Sequence, residues 1–280
     1  MRSVKSAVPE NENSAGEVPP EAAEPEPPAP QEPAPDQGAP EPEPAGGEAE
    51  PEPEPAPDMG EPSDTLNFDY NPYQENVAIM GLQGEGKTTL AHTILAMIPS
   101  IPRVIWSPQR PMHLYGQFGD PMYRVRDMQR AAQVYVGEYS ARNFDAYCAR
   151  VMELYDIVCV WDDIHEYCGK QRIPENFARI INSGRNRGIC SIFISPSPNL
   201  VNNIILQSSQ HIFCFRFNLE SQIEWVRKNY FGRDAWVLLP RHLRREKPTI
   251  GERYDVLPKH SYLYKKIGDL ANTLIVGGTA

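Results

Sequence analysis

From Asn67 onward, short apolar runs closed by turn residues alternate with segments whose apolar positions recur at helical spacing. Val77-Ala78-Ile79-Met80 reads as a buried strand, and Val104-Ile105-Trp106, closed by Ser107-Pro108, as a second. Ala141 to Leu154 has helical spacing through Phe144, Tyr147, Cys148, Val151 and Met152. Ile157-Val158-Cys159-Val160-Trp161 is continuous and β-prone, as suits a central parallel strand covered on both faces. A helix is predicted after Pro174 over Glu175 to Asn182, a buried strand over Ile189 to Ile194, and a short helix over Asn199 to Leu206. A strand over Ile212 to Phe217 and a helix from Leu219 to about Tyr230 complete the pattern. Such alternation predicts an α/β fold: a mostly parallel sheet with helices on both faces, binding its ligand at the carboxyl ends of the strands.

Composition divides the chain at about residue 66. Residues 1–66 hold 17 of the 29 prolines and 17 of the 37 acids, with Arg2 and Lys5 as their only bases and no aromatic side chain. A segment of this kind cannot bury enough apolar surface to offset its ordering entropy, so 1–66 reads as a disordered, self-repelling tail. The remainder, 67–280, is of a size for one domain. It keeps 20 acids against 25 bases, so a formal net charge of −10 resolves into an acidic tail and a domain of +5. A mildly basic domain is compatible with a polyanionic partner. Residues 227–266 concentrate that charge, including Arg241, Arg244, Arg245 and Lys247; they read either as a backbone or subunit contact or as a solvated surface. Tyr254, Tyr262 and Tyr264 read as packing groups.

Five cysteines without C-x-x-C spacing, most in apolar surroundings, read as buried thiols in a reducing compartment, and they do not suit a structural zinc site. No apolar run is long enough to span a bilayer and no signal-peptide core is present, so a soluble protein without a transmembrane segment is expected.

The chemistry begins directly after the first strand. Gly81-Leu82-Gln83-Gly84-Glu85-Gly86-Lys87-Thr88 is a complete G-x-x-x-x-G-K-[ST] loop, followed by Thr89 and a helical run to Ile98. In this strand–loop–helix setting, backbone N–H groups and the helix N-terminus converge on an anion. Gly81, Gly84 and Gly86 allow the tight turn and, with Glu85, Lys87, Thr88 and Thr89, make the expected ATP cradle. Lys87 is expected to reach the β- and γ-phosphates, and the Thr88 hydroxyl to bind Mg²⁺. The strand Ile157 to Trp161 ends in Asp162-Asp163, the form of a Walker B element. Asp162 is expected to hold Mg²⁺, directly or through water. Asp163 is expected to orient and deprotonate the attacking water, a role more often filled by glutamate.

Asp162-Asp163-Ile164-His165-Glu166-Tyr167 resembles the D-E-x-H stretch of the FtsK–HerA superfamily of DNA-translocating ATPases. Ser183-Gly184-Arg185-Asn186-Arg187-Gly188, leading into Ile189 to Ser195, resembles the helix end that supplies an arginine finger to the adjacent subunit there. The alignment puts Arg185 at the finger position with Arg187 as the alternative; either could equally cap the helix C-terminus. His165 is either an orienter of the acids or a helix-surface residue. One departure stands out: Pro196 occupies the position of the family's sensor glutamine, leaving Ser195, Ser197 or Asn199 as replacements. The resemblance implies a RecA/FtsK–HerA-like P-loop fold and an ATP hydrolase. It points most to the genome-packaging ATPases of membrane-containing icosahedral viruses. These imply double-stranded DNA as partner, a homo-oligomeric ring (a hexamer), a capsid or membrane-vertex partner, and the host cytoplasm or virion as location. A cellular HerA or conjugation-type translocase, and a nucleotide-dependent assembly scaffold with feeble hydrolysis, are the alternatives.

Overall fold

A computed structural model of the chain describes residues 69–240, 257–268 and 275–278. The Pro/Glu-rich segment 1–66 lies outside them, as do Arg241, Arg244, Arg245, Lys247 and Tyr254.

Nine strands form one sheet: β1 (Val77–Met80), β2 (Arg103–Trp106), β3 (Asp120–Met122), β4 (Gln133–Tyr135), β5 (Ile157–Trp161), β6 (Ile189–Ser195), β7 (His211–Cys214), β8 (Ser261–Lys266) and β9 (Ile275–Gly278). Their order is β3-β4-β2-β5-β6-β1-β7-β8-β9. The seven strands from β3 to β7 are parallel, and β8 and β9 continue the sheet antiparallel. The helices are α1 (Lys87–Met97), α2 (Pro111–Tyr115), α3 (Ala141–Val151), α4 (Glu175–Ser183), α5 (Asn203–Gln207) and α6 (Glu220–Val226).

The continuous apolar runs make sense in this frame. Successive strand side chains point to opposite faces, so a strand covered on both sides has no polar position to spare. Val77 and Ile79 pack with Leu90, Ala91, Ile94 and Leu95 of α1 on one face. Ala78 and Met80 belong to the opposite layer, with Phe144 and Tyr147 of α3 and Phe177 of α4. All five cysteines are buried and unpaired, as their surroundings suggested. Tyr262 and Tyr264 are buried against Phe213, so they pack as expected.

Several elements depart from the pattern. The helix predicted from Asn199 begins at Asn203, because the Asn202 side chain accepts the Ile204 N–H and caps it there. The helix predicted to Tyr230 ends at Val226 and continues as a π-helical turn over Arg227–Phe231. β3 and β4 were not predicted; each has three residues, too few for a period to show. Within the basic run, Lys265 donates to Tyr230 O, Lys266 pairs with Glu75, and Arg227 pairs with Glu224. Those three bases are spent within the domain.

Candidate nucleotide site

The phosphate loop leaves β1 at the carboxyl edge of the sheet and is pinned by both neighbouring strands. Gly81 N donates to Ser195 O at the end of β6, and Leu82 N to Arg216 O beyond β7. Gly84 (φ 77°) and Gly86 (φ 102°) take left-handed conformations that favour glycine. At Gly81, a Cβ would fall 2.5 Å from the Phe215 Cβ, so the close approach itself requires glycine. Between the two left-handed glycines, Glu85 is buried and receives a two-point ion pair from Arg216, Nε at 2.9 Å and Nη2 at 2.7 Å. This brace raises the Arg216 pKa, chiefly through the hydrogen bonds to Glu85.

Lys87 opens α1 and folds back over the loop, its ammonium donating to Leu82 O at 2.8 Å. Burial pulls its pKa down; the charges of Asp163, then Asp162, then Glu85 act against that. Both acids of the predicted Walker B element therefore lie close enough for their charge to act on the loop lysine. Sheet register explains why. Met80 lies level with Ser195, and Trp161 level with Phe193, so Asp163 comes level with Met80 with only β6 between. Two strand spacings put loop and acid about 10 Å apart.

Asp162 is 6% exposed and its carboxyl is pushed up to about 6, first by burial and then by the neighbouring Asp163 charge. Its Oδ2 accepts from Ser107 Oγ (3.1 Å) and Tyr115 OH (3.2 Å), and its Oδ1 from Asp163 N (3.1 Å). All three donors are neutral. Asp163 itself is half-buried with φ 50°, a left-handed turn that ends β5 abruptly and aims the second acid away from the strand. His165 bonds to neither acid; its Nδ1 is buried without a hydrogen-bond partner among the described residues.

Arg185 and Arg187 lie at the other edge. They occupy a 3₁₀ turn, Gly184–Arg187, that enters the amino end of β6, whereas the phosphate loop meets the carboxyl end of that strand. Seven residues of β6 separate the two edges, about 20 Å. Neither arginine is brought to the phosphate loop of its own chain. Arg187 is tied down locally, its Nε donating to Leu154 O (3.2 Å) and Nη2 to Glu153 O (3.5 Å). Arg185 is exposed.

Solved structures provide the comparison. Over 74% of this chain and 98% of its own, the genome packaging NTPase B204 of Sulfolobus turreted icosahedral virus 2, in complex with ATPγS, superposes with a TM-score of 0.59 at 14% identity. VirB4 of Thermoanaerobacter pseudethanolicus gives 0.53 at 9% identity, covering 79% of this chain and 95% of its own. The pCW3 conjugation coupling protein TcpA gives 0.50 at 15%, over 77% and 63%. The chain has a P-loop NTPase fold. No protein-family model and no curated protein sequence matches it.

Around Pro196, Ser195 Oγ donates to Ser197 O (3.0 Å), and Ser197 Oγ accepts from Asn199 N (3.2 Å). Both serines thus bond within this turn, and Asn199 is half-buried.

The donor set fits Mg²⁺. Thr88 and Asp162 offer hard oxygens, and Asp162 is a buried acid whose hydrogen-bond partners bring no positive charge. Among the described residues no cluster of three His, Cys, Asp or Glu forms a metal cage. Two participants carry no mark in the sequence pattern. Ser107 and Tyr115 reach Asp162 from the β2–α2 connection, and only the strand order brings that connection beside β5. A third, Arg216, did leave a signal: it is the one charge inside the apolar run Ile212 to Phe217.

Proposed function

We propose that the chain is an ATP-driven double-stranded DNA translocase, a viral genome-packaging ATPase that works as an oligomeric ring, a hexamer. The observation that carries this reading is the division of labour across the sheet. Lys87, Thr88, Asp162 and Asp163 stand at one edge and exposed Arg185 at the other, about 20 Å away. A nucleotide at the loop then needs a neighbouring chain to complete its charge, and a ring provides one. B204, of similar fold over almost its whole length, is described as a genome packaging NTPase, which favours packaging over the conjugation-type reading.

In this mechanism Lys87 leaves the Leu82 carbonyl for the β- and γ-phosphates, and Asp163 takes the proton of the attacking water. Thr88 and Asp162 hold the Mg²⁺, which when bound screens the phosphate charge. Arg185 of one subunit stabilises charge on the γ-phosphate held by the next. DNA is held through its phosphates by the +5 domain, so binding is insensitive to sequence and weakens with salt. The acidic tail 1–66 lies outside the motor domain 67–280, and the ring acts in the host cytoplasm or on the virion, docked to a capsid or membrane-vertex protein.

ATP turnover with and without long duplex DNA tests the proposal. We expect severalfold stimulation that fades as salt rises, and loss of turnover in Lys87→Ala. Turnover that ignores DNA overturns the translocase reading. Ring formation driven by ATP, with turnover at background, favours the assembly scaffold instead.

A further inference from the structure

Beside the prospective cation ligand Asp162 stands a side chain that the nucleotide motifs do not contain. Tyr115, the last residue of α2, has no exposed surface. Its hydroxyl donates to Asp162 Oδ2 at 3.2 Å. A phenol has one proton to give, and here the carboxylate receives it. α1 holds the ring in place. His92 lies four residues after Thr88 on the same helical face and packs edge-on against the Tyr115 ring at 5.1 Å.

We propose that Tyr115 is a positioning residue for the divalent-cation site, giving its proton to Asp162 Oδ2 so that the carboxylate is held in one orientation for the cation. Asp162 Oδ2 is occupied by Tyr115 and Ser107, which fixes the carboxylate's orientation, while Oδ1 accepts from the Asp163 N–H. The inference rests on reading the site as one for Mg²⁺ and ATP.

Tyr115→Phe removes the hydroxyl and keeps the ring against His92. Binding of a fluorescent ATP analogue, titrated with Mg²⁺ and repeated in EDTA, separates cation from nucleotide. We expect the Mg²⁺ concentration for half-effect to rise roughly 10–100-fold, as for other residues that orient metal ligands. Affinity in EDTA should stay within about twofold and the unfolding temperature within a few degrees. In a double-mutant cycle with Asp162→Ala, the two losses should be less than additive, because Tyr115 acts through Asp162. An unchanged Mg²⁺ requirement overturns the positioning role, as does an equal loss in EDTA, which would mark a merely structural tyrosine. If the wild-type protein binds nucleotide but gains nothing from Mg²⁺, the cation site falls and Tyr115's role with it. If it binds no nucleotide at all, the ATPase reading fails first.

Discussion

Asp162 is a carboxylate held where its charge is costly, and that cost can be measured. Its pKa is raised from 3.8 to about 6 by burial and by Asp163. A raised carboxyl pKa means that the folded protein binds the proton more tightly than the unfolded chain does. The penalty is therefore fully present above about pH 6 and disappears as pH falls toward 3.8. Asp162→Asn removes it but loses the bond from Asp163 N, leaving a net gain of about 1–2 kcal/mol at pH 7.5. We expect the variant to unfold roughly 2–8 °C higher than the parent at that pH, with the difference shrinking by pH 4.5, in paired thermal melts. Hydrolysis should be lost in the same variant. An Asn variant less stable than the parent at neutral pH would show that the site is not strained. The role of Asp162 was legible in the sequence because two acids ended an apolar strand downstream of a phosphate loop. Its environment was not, because Ser107 and Tyr115 reach it across the sheet from a connection without periodicity.

The elements that carry the motifs were legible nearly to the residue. β1 and β5 match their predicted bounds, and both are buried along their whole length. What escaped is how elements end. α1 stops before Pro99, whose ring disfavours helix in the residue preceding it. Its last carbonyls then need donors, and buried Arg103, the first residue of β2, supplies them. Nη1 bonds Leu95 O (3.2 Å), Nη2 bonds Ile98 O (2.9 Å) and Pro99 O (2.6 Å), and Nε bonds Ile101 O (3.2 Å). No acid neutralises this guanidinium among the described residues; carbonyl dipoles do, and burial lowers its pKa. An arginine at a strand's start reads from sequence as an edge charge, whereas here its planar fork closes a helix. Arg103→Leu should cost about 2–4 kcal/mol in denaturant unfolding, since several buried carbonyls lose their donor together. Arg103→Lys should recover less than half of it, because an ammonium lacks the fork. ATP-analogue binding to the folded fraction should change less than twofold. A loss below about 0.5 kcal/mol would mean that water replaces the guanidinium at no cost.

At the scale of the whole molecule, the proposed ring would bring the amino edge of the sheet in one copy to the carboxyl edge in the next. A single subunit cannot bring its Gly184–Arg187 turn round to its own phosphate loop, since β6 lies between them as a rigid spacer. Arg187 is already used within its chain, holding the Glu153 and Leu154 carbonyls, so Arg185 is the arginine left to cross an interface. Two defective proteins should then repair each other. Lys87→Ala cannot engage phosphates but still presents Arg185, and Arg185→Ala does the reverse. Each alone should lose DNA-stimulated turnover by roughly 10³-fold or more, the scale of a removed arginine finger. In an equal mixture, one interface in four pairs an intact Lys87 with an intact Arg185, so independent sites should regain about a quarter of wild-type turnover. Sites that fire in sequence around a ring should regain less, because each round meets a dead interface. Arg187→Ala should keep turnover within about twofold and lose stability instead, since what it gives up is bonding inside its own chain. A mixture as inactive as its parts, together with an active, strictly monomeric wild-type protein, would remove both arginines from catalysis and leave the turn as a helix cap.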